Sequence, residues 1–467
     1  MFRTIVTLTV IASLTVIAGF LATISPLLPL ALGILVALGY LITTSIKKAI
    51  LVLLLTKPII DATWLFKIPF VGLNALQIVG SVFPIMILIY LLIARPKLAN
   101  SKALRLFSIF VVLNTMSYLL FCINSSNTGI EGVFSLMIAY IGHFLQFLNS
   151  FAAFIVFPIL FKTPKEQKFF FQILILSLIF PLVTGLAQIF GFFEGRVLRT
   201  TGDLQRISGL YYDSSNMRMY SLQALAIIFI YFSYFLKTTD KYYKSSVTFL
   251  LIAVPLFLLI IYYGYSKAAI SILIIWLLCY MILNNKILIG IIIIFIFGMT
   301  YLTNDTIQIE IEKLLYKEIK YTEGTLNPEH EYTLLGGRIA RWQMLIDDFL
   351  NRDLSEQLIG FRFNVGIIAH NDWIRILVSN GVIGLISFIV FVSYVFYKLI
   401  AIYMIYRDGF STGAIMIFFM FIIDSIGLVP LLYPGYCWYT FGILSLALNR
   451  PMQKNLNVSS TSFNSLT

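Results

Sequence analysis

The sequence predicts an all-α fold, a polytopic integral membrane helix bundle of roughly fourteen spans, and three observations carry that prediction. Hydrophobic residues make up 60% of the chain against 12% charged, too little charge to cover a soluble domain of 467 residues. Apolar runs of about twenty residues recur from one end to the other. Lysine and arginine collect in alternate gaps between those runs, as they do where loops stay on the cytoplasmic side.

The runs lie near residues 4–24, 27–45, 49–60, 77–94, 104–122, 133–161, 169–191, 217–236, 246–263, 268–283, 287–303, 373–397, 411–429 and 436–449. The first has the position of a signal peptide, but it lacks a small-residue cleavage site and another span follows at once, so it reads as an anchor. With a cytoplasmic N-terminus, one set of loops holds Lys47 and Lys48, then Arg95, Lys97, Lys102 and Arg105, then Lys162, Lys165 and Lys168, then Lys237, Lys241 and Lys244. Lys286, Lys398, Arg407, Arg450 and Lys454 extend the series and put both termini in the cytoplasm. This bias accounts for the net charge of +12 without a polyanionic partner, and no soluble basic patch is left to serve nucleic acid. Cys122, Cys279 and Cys437 lie in or beside apolar runs, without the spacing of a disulfide framework or a zinc site.

Residues 1–303 therefore read as the first group of helices, 304–372 as a large outer loop, 373–450 as the last helices, and 451–467 as a disordered cytoplasmic tail. A smaller outer loop, 192–216, holds Glu194, Arg196, Arg199, Asp203, Arg206 and Asp213, with Asn216 and Arg218 entering the next span. Arginine gathered on the side where positive charge is disfavoured calls for a role, and an anion is its natural ligand. For Arg196 and Arg199 the loop's own carboxylates are alternative partners.

The larger loop opens with an amphipathic stretch, Ile307 to Ile319, expected along the membrane surface. Beyond a break at Asn327-Pro328, a helical pattern from Arg338 to Leu350 starts behind Gly336-Gly337. That puts Arg338 at the positive end of a helix, where a guanidinium suits a phosphate; a salt bridge to Asp347 or Glu331 is the alternative. The loop closes with His370-Asn371-Asp372-Trp373 at the mouth of an apolar helix. Asn371 and Asp372 suit an N-cap as well as chemistry, while the imidazole could take a proton from a hydroxyl with a nearby carboxylate orienting it. Internal acids are few, Asp424 being the main one, which favours chemistry at one face over transport through the midplane.

Gly337-Arg338 with Trp342, Gly360 and Gly366, then His370-Asn371 and Gly381 with Gly384, resemble the characteristic region of the O-antigen ligase and polymerase superfamily. Tyr265-Ser266-Lys267 resembles its Ser-Lys element, Arg206 with Gly209, Asp213 and Asn216 its arginine and glycine element, and Lys57-Pro58 with Asp61 its Pro-Asp element. The resemblance implies a glycosyltransferase of the GT-C type with two larger periplasmic loops, in the bacterial inner membrane, acting on glycans carried by undecaprenyl diphosphate without metal or cofactor. It implies Arg206 and Arg338 as the residues that hold the diphosphate during catalysis and His370 as the group at the acceptor hydroxyl. Arg218, Lys267, Arg341, Asn371, Asp372, Arg199 and Tyr265 follow as substrate-binding residues. The long second loop, the His-Asn-Asp-Trp form and the aromatic spans are more similar to polymerases, which join lipid-linked repeat units under a chain-length-regulating co-polymerase. Ligases, which hand the glycan to lipid A core, share the arginine and histidine elements, and a lipid-linked oligosaccharide transporter is the reading from another class. An Arg-x10-Gly pattern associated with some polymerases does not occur in either outer loop.

Overall fold

A computed structural model describes residues 45–64, 75–98, 101–125, 130–194, 200–201, 204–240, 243–322 and 337–450. The apolar runs before residue 45, Arg196 and Arg199, Asp203, the Asn327-Pro328 break, Glu331 and the tail from 451 lie outside them. Every other apolar run is helical.

The first group comprises α1 (Ile46–Ala62), α2 (Ala75–Ala94), α3 (Lys102–Asn124), α4 (Ile130–Leu160), α5 (Pro164–Ser177) and α6 (Ile179–Ile189). A short antiparallel hairpin follows, β1 (Thr200–Thr201) and β2 (Leu204–Gln205), with Thr200 opposite Gln205. Then come α7 (Ser214–Ile230), continued by a π-helical turn at Tyr231–Phe235, α8 (Tyr243–Tyr263), α9 (Lys267–Leu283), α10 (Ile287–Thr303) and α11 (Asp305–Thr322). The last group is α12 (Arg338–Leu350), α13 (Leu354–Ile359), α14 (Phe363–Gly366), α15 (Asp372–Tyr406), α16 (Gly409–Gly427) and α17 (Pro434–Leu448). Among the described residues seven helices are long and apolar enough to cross a membrane, or eight if α10 and α11, bent by 97° at Asn304, count as one span. That bend turns the amphipathic stretch away from the axis of the apolar helix before it.

Short polar side chains start many of these helices by accepting hydrogen bonds from N–H groups that have no intrahelical partner. Ser101 accepts from the amide of Leu104, Thr163 and Glu166 form a capping box, and Asp408 accepts from Ser411. The centre of the bundle is α17, buried from Pro434 to Ala447 and packed against α1, α4, α7, α15 and α16. Polar atoms on so buried a helix must find partners inside the protein. Trp438 Nε1 donates to Asn149 Oδ1 at 2.7 Å, and the Tyr439 hydroxyl donates to the Leu54 carbonyl at 3.0 Å.

At one end of the bundle Lys47 pairs with Glu166, Lys168 with Asp240 at 2.6 Å, and Arg450 with Asp408 at 2.7 Å. Arg450 also lies 4.1 Å from the ring of Tyr406 and 4.9 Å from that of Tyr234. The loops that the charge pattern assigns to one side thus supply each other's counter-ions.

The expected spans near 49–60, 217–236, 268–283 and 436–449 are helical but are not among these long helices, and another span departs from expectation in its course. A helix of 35 residues would run about 52 Å, well beyond a hydrocarbon layer of about 30 Å. The run expected near 373–397 is instead broken at Gly381, whose φ of 67° and ψ of −175° are not helical. The end of α13 and the glycine that follows it press on the break: a Cβ on Gly381 would strike the Leu358 carbonyl, and one on Gly360 would strike that of Ser379. Breaking a helix frees carbonyls that need donors. Arg352 Nη1 donates to Val378 O at 2.8 Å, and the Ser117 hydroxyl donates to Ser379 O.

Candidate functional site

Helix α12 begins at Gly337, which has a φ of 77°, a left-handed conformation natural to glycine. Arg338 is the first helical residue, and its Nη1 lies so near the end of α16 that a Cβ on Gly427 would sit 3.4 Å from it. One turn on, Trp342 Nε1 donates to the Ala369 carbonyl at 2.8 Å and Arg341 Nη1 to that of Ile368 at 3.5 Å. The helix is thereby fastened to the residues just before His370.

His370 is half-buried and has a φ of 48°, a strained conformation for a side chain of its size and one that functional sites accumulate. Asn371 caps α15: its Oδ1 accepts from the Ile374 amide at 3.0 Å, and its Nδ2 donates to Ile426 O at 3.0 Å. Asp372 is fully buried, accepting from Arg375 Nε at 2.8 Å and from the Leu431 amide at 3.1 Å. In the first turn of a helix its neighbour three residues on is the nearest cation, which draws the carboxylate to Arg375. Asn371 and Asp372 thus spend their polar atoms tying the start of α15 to the end of α16 and the turn after it.

The first outer loop is clamped from below, where Gln188 Oε1 accepts from the amides of Ser208 and Gly209 at 2.9 and 2.7 Å. Asp213 caps α7 through the Ser215 amide at 3.0 Å. Arg206, half-buried, donates from Nε to Gly264 O at 2.9 Å, which seats it on the turn between α8 and α9. Tyr265 follows with a φ of 41°; Ser266 then caps α9 and accepts from Arg218 Nη1 at 3.3 Å, and half-buried Lys267 opens the helix. Arg218 is itself buried and ion-paired with Asp424 of α16. The second outer loop reaches the same turn, because the Tyr262 hydroxyl donates to Glu310 of α11. Burial, with Glu310 nearby, pushes the Tyr265 phenol up to about 12.

The end of α16 is therefore a hub. Asp424 holds Arg218 and, through Ser266, the turn that seats Arg206; Ile426 holds Asn371 beside His370; Gly427 lies against Arg338. Arg199, the remaining candidate, is outside the described residues. Sequence reasoning passed over Tyr433, whose phenol burial and Asp213 push up to about 12 while Arg218 and Arg338 oppose the shift. The charges of both outer loops meet at that ring. Its signal was a tyrosine wedged between Pro430 and Pro434 where two apolar runs join.

The interior also holds more charge than the sequence suggested. Lys57 pairs with Asp61, which accepts from the Tyr220 hydroxyl at 2.5 Å, so Asp61 and Asp372 join Asp424 as buried acids. Two of these pairs are local, four and three residues apart, so each charge is neutralised within one turn of helix. Buried Arg218 Nε and Arg375 Nη2 have no hydrogen-bond acceptor among the described residues. No protein-family model matches the chain, and no curated protein matches it either.

Proposed function

We propose that the protein is a polymerase joining undecaprenyl-diphosphate-linked oligosaccharide repeat units into O-antigen or a related surface polysaccharide. The observation that carries this reading is that cations of both outer loops are tied to the end of α16, which also holds Asn371, the neighbour of His370. Arg338 lies against Gly427, Arg206 is seated on Gly264, Lys267 follows Ser266, and Arg218 bridges Ser266 to Asp424. Fixed cations in a site shielded from water stabilise a departing diphosphate at little reorganisation cost. His370 takes the proton of the acceptor hydroxyl as that oxygen bonds to the anomeric carbon. The bond from that carbon to the diphosphate oxygen breaks, and its electron pair leaves with the diphosphate.

In this reading the bundle has about fourteen spans in a GT-C arrangement. The hub faces the periplasm and the lysine-rich end faces the cytoplasm. Helix α16 connects the two, since its 19 residues span about 28 Å from Asp408 to Gly427. A co-polymerase regulating chain length is the partner the resemblance implies.

The test is elongation by the purified full-length protein, in detergent and without any gradient, of a polyprenyl-diphosphate oligosaccharide. Products of two and more repeat units support the polymerase, while transfer to lipid A core alone makes the protein a ligase. The three buried acid–base pairs favour one second reading, a transporter. Gradient-dependent movement of the lipid across proteoliposomes, with no new glycosidic bond, would establish it. His370→Ala should slow transfer by about two to four orders of magnitude, and a rate within a few-fold of the parent removes the base.

A further inference from the structure

Helix α12 carries Arg338 at its start, and the contacts that hold its other end have no place yet in the reaction. Arg352, just past the last turn, has a side chain only 1% exposed. Its Nη1 donates to Val378 O at 2.8 Å, its Nε donates to Asp348 Oδ2 at 3.1 Å, and its Nη2 pairs with the same carboxylate. Gln357 Nε2 fixes the turn beneath it, donating to the carbonyls of Arg352 and Leu350 at 2.8 and 3.0 Å. Val378 belongs to the first half of α15, before the break at Gly381, and its carbonyl is one of those the break sets free.

Helix α12 is thus tied to the segment 368–378 at both ends. Trp342 and Arg341 hold Ala369 and Ile368 near its start, and Arg352 holds Val378 beyond its finish. A helix tied at one end can pivot, whereas one tied at both ends cannot. Between the ties lies His370, and at the head of the splinted helix lies Arg338. We propose that Arg352 is a positioning residue for the transfer reaction: by bridging α12 to the broken end of α15 it fixes the Arg338 guanidinium relative to His370. The role in transfer rests on the function proposed above; the splint itself does not.

The test compares Arg352→Met, Arg352→Lys and Asp348→Asn in the full-length protein, measuring kcat, KM, thermal midpoint and backbone hydrogen exchange. Misplacing a reacting group by about 1 Å can lower a rate about a hundredfold. Arg352→Met should therefore lower kcat by about ten- to a hundredfold with KM within about threefold. Arg352→Lys, which can reach one partner but not fork between two, should recover part of that loss. Asp348→Asn keeps the bond to Val378 but loosens the guanidinium; kcat should fall about three- to tenfold with the thermal midpoint unchanged. In Arg352→Met the amides of residues 368–380 should exchange faster while those of 383–406 keep the parental rate. Parental kcat in Arg352→Met overturns the proposal. So does a kcat loss that merely follows loss of folded protein, with Asp348→Asn fully active. If the parent itself transfers no glycan, the proposed reaction falls and the exchange data decide the splint alone: unchanged protection of residues 368–380 in Arg352→Met refutes it.

Discussion

A guanidinium and an ammonium carry the same charge, but only the guanidinium offers two coplanar donors to a diphosphate oxygen pair. In the proposed reaction, that difference at the head of α12, beside Gly427, separates a forked contact from a point charge. Arg338→Ala should lose about 3 kcal/mol of transition-state stabilisation, or roughly a hundredfold in rate, and Arg338→Lys should restore little of it. Initial rates on a defined lipid-diphosphate donor decide the matter, and near-parental polymer from a well-expressed Arg338→Lys would reduce Arg338 to a structural cation. Tyr433 poses a different question. Burial and Asp213 hold its phenol protonated up to about 12, so it remains a hydrogen-bond donor throughout the physiological range. Tyr433→Phe keeps the ring and removes the donor; an ordinary hydrogen bond is worth about 0.5–1.5 kcal/mol, which predicts a rate lower by roughly two- to tenfold. An unchanged rate would leave Tyr433 as packing between two prolines.

At the scale of elements, the break in α15 depends on one residue being able to hold a left-handed φ. Gly381→Ala introduces a Cβ against the Leu358 carbonyl and into an essentially glycine-only conformation that costs a side chain about 1–3 kcal/mol. The thermal midpoint in detergent should drop, whereas Gly298→Ala in α10, where a Cβ meets nothing within 4 Å, should leave it level or raise it. Equal midpoints for the two variants would mean that α15 runs straight. The opposite end of the bundle gives a pH-dependent prediction. Burial pushes the Asp408 carboxyl up, but hydrogen bonds from Arg450 and Ser411 outweigh it and hold the group below the usual carboxylate range. A folded-state value below the unfolded one means that this stabilisation is present above the ordinary carboxylate pKa of about 3.9 and is lost as pH falls through the folded value. Asp408→Asn should lower the midpoint at neutral pH and flatten its fall on acidification below about pH 4. Parallel curves for variant and parent would show that the pair contributes nothing.

For the whole molecule, the charge pattern predicts that residue 239 faces the cytoplasm and residue 343 the periplasm. Cysteines placed at Thr239 and Gln343 in cells should react with an impermeant reagent from outside only at position 343. Labelling at position 239 alone would invert the topology and move the hub to the wrong side for a lipid-linked donor. How much of this arrangement could be read in advance varied with the kind of signal. Apolar runs gave the helices, and the glycine before Arg338 with the amphipathic pattern behind it gave α12 with both its bounds, because those features are local. The break at Gly381 was passed over although Ser379-Asn380-Gly381 interrupts the apolar run with a turn dipeptide, because hydrophobicity averaged over a span carries no trace of a φ angle. Arg218 and Asp424 lie 206 positions apart, so no spacing rule could join them. Arg375 could be seen as a charge one turn into an apolar run, but only the fold shows that Asp372 turns to it.

The helix that fills the middle of the bundle, α17, comes after every helix that packs on it. A ribosome delivers those neighbours first, around a core with no occupant, and their inner faces carry the side chains of Asn149, Ser177 and Gln223 that α17 later engages. Until Tyr436, Trp438, Tyr439 and Thr440 arrive, Asn149 Nδ2 and the Ser177 hydroxyl have carbonyls of their own helices to donate to, but Asn149 Oδ1 lacks its Trp438 donor. Only residues 428–433 separate α16 from α17, so the core lacks its central helix until the last of the described helices is made. A chain stopped before residue 434 would therefore keep its outer helices and lose the one that these polar contacts at the centre are built around.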